Sequence, residues 1–296
     1  MQQESHFIAD GEHRLHVRRI YRESAGKPVL MLHGTIENGK IFYTEKGKGL
    51  ACYLAERGYD VYVADFRGKG ESQPKVADEN DHGQTESITR DIPLFLDFVE
   101  RLNSQKIHVV CHSWGGVLFA SYLARFPEKI NIIASNICFG TKRIIYSRNF
   151  EKLWKIDVMW RYIAPWLARR KGYVDAKGLG FGADNETLLA LKQSNAWIYP
   201  GKWLDTDDGF DYYTASQIVR WPSTWHLTGI NDHVLGNPRD VKAFIDESNN
   251  TSAKFSVLSK AMGSHLDYDH INILTDKRAV NDHFPQVVDW LEQVES

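Results

Sequence analysis

The sequence predicts an α/β fold with a mostly parallel central sheet, flanking helices and a helical insertion. Three observations predict it. Short apolar runs rich in β-branched residues alternate with amphipathic segments from residue 28 to residue 139. This alternation stops near residue 140 and resumes near residue 216. The 296-residue chain is also 43% hydrophobic and 25% charged, which is typical of a globular enzyme with a sizeable buried core.

The first half of the chain contains the clearest strand and helix signals. Strands alternating with helices form parallel sheets through βαβ units, whereas stretches that alternate apolar and polar residues suit an antiparallel edge. Helical spacing of apolar residues covers 40–57, 86–102 and 115–125. We therefore expect antiparallel edge strands at 6–9 and 13–21, and core strands at 28–32, 60–64, 107–111 and 129–138.

The pattern changes between residues 140 and 215. This segment contains five tryptophans, mixed helical periods and glycine-rich turns, without clear strand–helix alternation. The alternation then returns, with strands expected at 223–227 and 254–258 and helices at 237–246 and near the C-terminus. The sequence thus predicts a core formed by residues 1–139 and 216–296, interrupted by an insertion at 140–215.

Composition argues against several classes of function. The formal net charge of −2 gives no electrostatic basis for nucleic-acid binding. Cys52, Cys111 and Cys138 lie singly in apolar runs, which favours buried thiols over disulfides or a metal cluster. The N-terminal stretch has no apolar core of a secretion signal, and no apolar run approaches the ~20 residues that span a bilayer. We expect a cytoplasmic protein without an integral membrane segment, and the oligomeric state is left open.

A serine stands where a predicted strand meets a predicted helix, in the segment CHSWGG at 111–116. A serine on such a tight turn can present its hydroxyl, with small residues needed around it. The helix N-terminus behind it favours negative charge on a bound oxygen. Ser113 could instead be a simple helix N-cap. Ser113 is therefore a candidate nucleophile whose case depends on the surrounding motifs.

Those motifs resemble the α/β-hydrolase fold superfamily, and in particular its lipase- and esterase-like serine hydrolases. The segment at 111–116 resembles the G-x-S-x-G nucleophile elbow, with Cys111 in place of the first glycine. The sequence HGT at 33–35 resembles the oxyanion turn, and DFRGKGES at 65–72 resembles the D-x-R-G-x-G-x-S turn. The resemblance implies an α/β-hydrolase fold with a cap at 140–215. It also implies an oxyanion hole formed by the backbone N–H groups of Thr35 and Trp114.

The resemblance further implies a triad in the chain order serine, acid, histidine. The sequence TGIND at 228–232 resembles the turn that holds the acid, which indicates Asp232. Two histidines, His265 and His270, follow the last predicted strand. The stretch from 270 to 279 resembles the H-x-D-x-x-x-G-x-x-A ending of lipase-like hydrolases, with Asn272 and Asp276 substituted. We favour His270 as the base, and His265 is the alternative.

The function that follows is hydrolysis of a carboxylic ester through an acyl-enzyme, without a cofactor or a metal. A serine at the elbow argues against dehalogenases and epoxide hydrolases of this fold, which use an aspartate there. Thioesterase, amidase or acyltransferase activity, and a non-catalytic binding module, remain alternatives. Trp160 and Trp197 are candidate substrate-binding residues for an apolar acyl group of a small-molecule ester. The insertion's aromatic residues could equally form its own core.

Overall fold

The computed structural model describes residues 1–22 and 26–295. Eight strands form one sheet in the order β1-β2-β4-β3-β5-β6-β9-β10, and β7 pairs with β8 separately. The strands are β1 (Gln2–Asp10), β2 (His13–Tyr21), β3 (Pro28–Leu32), β4 (Asp60–Asp65), β5 (Ile107–His112), β6 (Ile133–Phe139), β7 (Tyr173–Val174), β8 (Glu186–Thr187), β9 (Ser223–Gly229) and β10 (Lys254–Leu258).

The sheet is mostly parallel, as the sequence predicts. Strand β1 pairs antiparallel with β2, and β2 pairs antiparallel with β4. From β4 to β10 every neighbouring pair is parallel. The antiparallel edge and the parallel core are therefore both confirmed, and the carboxyl ends of β3, β5, β6 and β9 come together at one edge of the sheet.

Helices cover both faces of the sheet. Within the central strand β3, Leu30 and Leu32 belong to one apolar cluster, whereas Val29 and Met31 belong to the other. Successive side chains of a strand point to opposite faces, so a strand buried on both sides reads as a continuous apolar run. The PVLML sequence of β3 is such a run, and all five of its residues are buried.

The helices vary in type and length. Residues 84–102 form one continuous helical segment with a π-helical part at Ser87–Asp91, and 150–171 form another with a π-helical part at Leu153–Ile163. Within the described ranges, none of the helices is both long enough and apolar enough to cross a membrane. The bounds are Gly39–Ile41, Leu50–Ala55, Gln84–Glu86, Ser87–Asp91, Ile92–Leu102, Trp114–Arg125, Pro127–Ile132, Phe150–Lys152, Leu153–Ile163, Ala164–Lys171, Leu188–Trp197, Tyr212–Ser216, Pro238–Glu247, Lys260–Met262, Asn272–Thr275, Lys277–Asn281 and His283–Glu295.

Two predicted elements differ from the structure. The helix expected at 40–57 is reduced to a short 3₁₀ turn and the Leu50–Ala55 helix. Gly49 separates them at a φ of 102°, where an added Cβ would lie 2.3 Å from the carbonyl oxygen of Phe42. The strand expected at 129–138 begins only at Ile133, because Pro127 starts a 3₁₀ helix that extends to Ile132. Proline favours the first turn of a helix, since its φ is fixed and it has no N–H to satisfy.

Residues 140–222 connect β6 to β9 and lie against the loop that follows β4. The ammonium of Lys69 forms an ion pair with Glu186 at 2.8 Å. The backbone N–H of Gly70 donates to Asp184 at 2.6 Å, and that of Gln84 donates to Gln193 at 2.6 Å. Polar contacts therefore hold residues 184–193 against the loop that follows β4 and the helix that begins at Gln84.

Candidate active site

Ser113 lies on the turn between β5 and the Trp114–Arg125 helix. Its φ of 52° and ψ of −123° place a non-glycine residue in a strained backbone region. Such a conformation costs about 1–3 kcal/mol and persists only where surrounding contacts hold it. Here the N–H of Ser113 donates to the carbonyl of Phe139 at 2.8 Å, and its carbonyl accepts from the Thr141 hydroxyl at 3.0 Å. The turn leaves the Ser113 side chain partly exposed.

The chain packs too closely around this turn to admit larger residues. A Cβ at Gly115 would lie 2.4 Å from the carbonyl oxygen of His33. A Cβ at Gly34 would lie 2.8 Å from the Cβ of Ser113. Cys111, where the motif has its first glycine, is fully buried within β5, with its Sγ 3.7 Å from Asn136 Oδ1. The departure from the motif is therefore accommodated inside a regular strand.

His270 and Asp232 form a buried pair at the same edge of the sheet. The His270 Nδ1 lies 2.5 Å from the Asp232 Oδ2, and the two residues are 8% and 4% exposed. Burial alone would raise the pKa of Asp232, but the charge of His270 and the hydrogen bond between them hold it below its usual range. The turn that carries Asp232 is fixed to the histidine loop, because the Asn231 N–H donates to the Tyr268 carbonyl at 2.9 Å.

The other candidate histidine lies elsewhere. His265 is exposed, and its backbone N–H donates to Asp282 at 2.7 Å. The structure thus places His270, and not His265, against Asp232. In residues 1–22 and 26–295 the Ser113 hydroxyl has no hydrogen-bond partner, so it forms no hydrogen bond with His270. Catalytic hydrogen bonds often tighten only when substrate binds.

A second pair, the partly buried Glu37 and the buried His112, links the three loops of the site. The Nδ1 of His112 lies 2.7 Å from Glu37 Oε2, and its Nε2 lies 2.9 Å from the carbonyl oxygen of His270. Glu37 also accepts from the Gly34 N–H at 2.9 Å. The sequence did not reveal this pair, since 75 residues separate its members and the elbow motif leaves the position of His112 unspecified.

The protonation of His112 follows from its partners. A carbonyl oxygen only accepts, so Nε2 carries a hydrogen. Although burial alone would raise it, the pKa of Glu37 is lowered to about 2, chiefly by the charge and hydrogen bond of His112. An ionised Glu37 requires a hydrogen on Nδ1 as well. Burial lowers the pKa of His112, but Glu37 and the His270 carbonyl outweigh it, and the pKa is raised. Both ring nitrogens of His112 are therefore engaged, and its partners favour the imidazolium form.

The two expected oxyanion donors lie beside a small cavity. Among the described residues, neither the Thr35 nor the Trp114 backbone N–H has a hydrogen-bond acceptor. Trp114 is the first residue of its helix, where N–H groups have no partner within the helix. Both residues line a cavity of about 40 Å³, and its walls are formed by apolar and polar side chains. The other contributors include Leu118, Lys69, Gln84 and Glu186.

The two tryptophans expected to bind substrate differ in their surroundings. Trp197 is 1% exposed and packs against Trp114, with the ring centroids 6.2 Å apart. Its indole N–H donates to the carbonyl of Leu204 at 2.7 Å. Trp160 is only partly buried and borders two apolar clusters. Trp197 therefore belongs to the apolar core that supports Trp114, whereas Trp160 keeps a partly open face.

Potential metal ligands occur together at two places in the described part of the chain. Glu37, His112 and His270 bring three ligand atoms within 4.8 Å of one another, but both ring nitrogens of His112 are already hydrogen-bonded. Glu79, Asp81 and His82 form a second group, in which Asp81 is exposed and Glu79 is partly exposed. Neither arrangement carries a further sign of a metal site.

Comparison with known proteins supports the fold. A family model described as the alpha/beta hydrolase fold matches residues 27–172. A segment of 126 residues is 29% identical to the cis-3-alkyl-4-alkyloxetan-2-one decarboxylase of Shewanella oneidensis, covering 42% of this chain and 36% of that protein. A segment of 115 residues is 33% identical to the gastric triacylglycerol lipase of Mus musculus, covering 36% of this chain and 29% of the lipase. The chain thus matches about a third of each relative's length.

Similarity to solved structures extends over nearly the whole chain. A soluble variant of the monoglyceride lipase from Saccharomyces cerevisiae, solved with a substrate analogue, aligns with a TM-score of 0.69 at 17% identity, covering 99% of this chain and 95% of that one. The esterase RhEst1 from Rhodococcus sp. aligns with a TM-score of 0.60 at 14% identity, covering 99% and 100%. Together with the sheet order and the strand-to-helix elbow, these matches show that the chain has the α/β-hydrolase fold, which it shares with these lipases and esterases.

Proposed function

We propose that this protein is a serine hydrolase that cleaves a carboxylic ester through an acyl-enzyme. The observation that carries the proposal is Ser113, held in a strained elbow beside the buried His270–Asp232 pair. Strained residues cluster at active sites, where the surrounding structure maintains them. The lipases and esterases among the similar proteins support the same class of reaction.

In this mechanism Ser113 Oγ attacks the ester carbonyl carbon, and His270 Nε2 accepts the serine proton. Asp232 binds Nδ1 of the same ring, which leaves Nε2 available to the serine. Asp232 also stabilises the imidazolium that forms. The imidazolium then gives its proton to the departing alcohol oxygen. His270 then deprotonates a water that attacks the acyl carbonyl carbon. The bond to Ser113 Oγ breaks as the imidazolium returns the proton to that oxygen, and the carboxylic acid is released.

The negative charge of the tetrahedral intermediate needs donors that have no other partner. The Thr35 and Trp114 N–H groups meet this requirement, and the latter opens the Trp114–Arg125 helix. Unpaired N–H groups at a helix N-terminus stabilise an oxyanion, and loss of one such donor typically lowers turnover by about 10²–10³-fold.

Residues 140–215 would act as a cap over this site. Its support is the set of contacts that hold residues 184–193 against the loop that follows β4, including the Lys69–Glu186 ion pair. Trp197 reaches the proposed site only through Trp114, so its influence on substrate choice would be indirect. Trp160 is the better placed of the two expected tryptophans to contact an acyl chain, because it is only partly buried.

A fluorophosphonate probe tests the proposal directly. We expect covalent labelling of the wild-type protein at Ser113, and hydrolysis within a panel of p-nitrophenyl esters of increasing chain length. Ser113→Ala should abolish both. Ser121→Ala is the matched control, since the Ser121 hydroxyl donates to the carbonyl of Val117 on the same helix at 2.8 Å. A folded protein that is not labelled, or labelling that survives Ser113→Ala, would reject Ser113 as nucleophile. Matched thioester and amide substrates would show whether the ester is preferred.

A further inference from the structure

Lys142 is a buried lysine whose ammonium has no polar partner in the described part of the chain. It is 4% exposed, and within residues 1–22 and 26–295 its ammonium forms neither a hydrogen bond nor an ion pair. The ammonium lies over the ring of Trp114, with the ring centroid 6.0 Å from Lys142 Nζ. Lysine is rarely buried unless it is paired, because removing an ammonium from water is costly.

The loop that carries Lys142 runs between the proposed nucleophile and the His270–Asp232 pair. A Cβ at Gly140 would lie 2.9 Å from His270 Nδ1 and 3.6 Å from Asp232 Oδ2. The Thr141 hydroxyl donates to the Ser113 carbonyl at 3.0 Å. Lys142 therefore follows two residues that contact the proposed triad, and it belongs to the same edge of the sheet.

Three carboxylates act on Lys142 electrostatically, but each is engaged elsewhere. Burial lowers the pKa of Lys142, and Asp232, Asp240 and Glu37 oppose that effect. Asp232 is bonded to His270 and Glu37 to His112. Asp240 accepts from the Ser147 hydroxyl at 2.9 Å and from the Tyr146 N–H at 3.1 Å.

The side chain of Lys142 is thus almost wholly buried, yet its ammonium forms no hydrogen bond with a described residue. A methionine would occupy similar space without the cost of desolvating a charge, so stability alone does not account for a lysine here. Unpaired charges in a site of this kind are typical of groups that bind a ligand.

We infer that Lys142 binds the negatively charged group of the substrate, so that the preferred substrate is an ester carrying a carboxylate or a phosphate near the scissile carbonyl. The inference rests on the proposed function. Trp114 connects the two features, because its backbone N–H would bind the oxyanion while its ring faces Lys142. A substrate anion would supply the missing partner of the ammonium and be oriented by it.

Two pairs of substrates distinguish the source of the charge. The first pair is the p-nitrophenyl monoester of glutaric acid and p-nitrophenyl pentanoate, which have the same chain length. The second pair is a monoacylglycerol phosphate and the corresponding monoacylglycerol. We expect wild-type kcat/KM to favour the charged member of at least one pair. Lys142→Met should lower the charged-to-neutral ratio by about 10- to 100-fold, the range of a hydrogen bond to a charged group. Lys142→Arg should keep part of the preference, and Lys106→Met, which removes an exposed charge, should keep all of it.

A binding measurement separates this inference from the proposed function. In the Ser113→Ala background, glutarate or inorganic phosphate should change tryptophan fluorescence saturably, since Trp114 lies near the ammonium, and Lys142→Met should remove that change. Lys142→Met should also raise the melting temperature. If both substrate ratios and the fluorescence response are unchanged in Lys142→Met while esters are still hydrolysed, the inference is wrong and the proposed function stands. If wild-type protein neither hydrolyses esters nor reacts with fluorophosphonate, the proposed function fails; anion binding lost in Lys142→Met would still assign the anion site.

Discussion

The ring Nε2 of His112 donates a hydrogen bond to the backbone carbonyl of His270 across 2.9 Å. His112, which precedes the proposed nucleophile Ser113, thereby holds the loop that carries the proposed base His270. The rings of the two histidines lie 4.7 Å apart, and Glu37 fixes the far side of His112. Because Glu37 also binds the Gly34 N–H, the Glu37–His112 pair sets the relative position of the oxyanion turn, the elbow and the histidine loop.

Glu37→Gln should lower kcat with a smaller effect on KM. The amide keeps the shape of the carboxylate but cannot hold His112 as an imidazolium, so the hydrogen bond to the His270 carbonyl should weaken. A displacement of about 1 Å in a catalytic group can cost 10²-fold, and we expect a loss of about 10- to 100-fold. Steady-state kinetics on a short p-nitrophenyl ester measures it. Equal kcat in Glu37→Gln and wild type, with both proteins folded, would show that the pair does not position His270.

The same pair should give stability a defined pH dependence. The pKa of Glu37 is lowered to about 2, so its contribution is present above its unfolded pKa and is lost as pH falls below about 4.5. The pKa of His112 is raised, so its contribution is complete below its unfolded pKa of about 6.5 and is lost as pH rises through the folded value.

The stability difference between wild type and His112→Asn should therefore be greatest between about pH 4.5 and 6.5 and smaller on either side. Urea unfolding at a series of pH values measures it. A difference that stays constant from pH 4 to 9 would mean that His112 is not charged in the folded protein.

The strain at Ser113 predicts that two inactive variants, Ser113→Gly and Ser113→Ala, differ in stability. Ser113→Gly and Ser113→Ala should both lack hydrolysis, but only glycine adopts a φ of 52° without strain. We expect the glycine variant to be more stable than the alanine variant by about 1 kcal/mol, since relief of strain is partly offset by the greater freedom of unfolded glycine. Denaturant unfolding of the two variants tests this, and a more stable alanine variant would argue against a strained elbow.

Trp160 and Trp197 should respond differently to truncation. Trp197→Ala removes a buried ring from the core and should destabilise the protein by about 3–5 kcal/mol. Trp160→Ala should instead change chain-length preference on p-nitrophenyl esters, with a smaller effect on stability. Melting temperatures and kcat/KM across the ester series separate the two effects. A proportional loss on short and long esters in Trp160→Ala would make that residue a stability element.

Much of the fold could be predicted from sequence because its signals are local. The buried run PVLML forms β3 between the predicted limits, and the strand–helix alternation gives the parallel core. The helix expected at 40–57 was wrong because apolar spacing does not register that Gly49 must take a left-handed conformation against Phe42. The spacing of apolar residues indicates which face of a helix is buried. It does not show that one residue must take a positive φ, which ends the helix.

The candidate site could likewise be predicted only in part from the sequence. Ser113, Asp232 and His270 stand in short motifs whose chain positions indicate a common edge of the sheet. Glu37 and Lys142 lie outside these motifs, and His112 occupies an unspecified position of one. Only the tertiary structure brings Glu37 to His112 or buries Lys142 without a polar partner. The two histidines after the last strand could not be separated by periodicity, since a five-residue difference in a loop leaves the direction of each side chain open.

Comparison of the single variants His270→Ala and His265→Ala tests the proposed triad most directly. His270 binds Asp232 at 2.5 Å, whereas His265 is exposed. His270→Ala should lower kcat/KM on a p-nitrophenyl ester by about 10⁴-fold, and the double variant with Ser113→Ala should lose no more, because the two groups act as a unit. His265→Ala should cost about tenfold or less, as expected of a residue that only shapes a loop. Near-wild-type turnover in folded His270→Ala, with the large loss found in His265→Ala instead, would contradict the Ser113–His270–Asp232 triad.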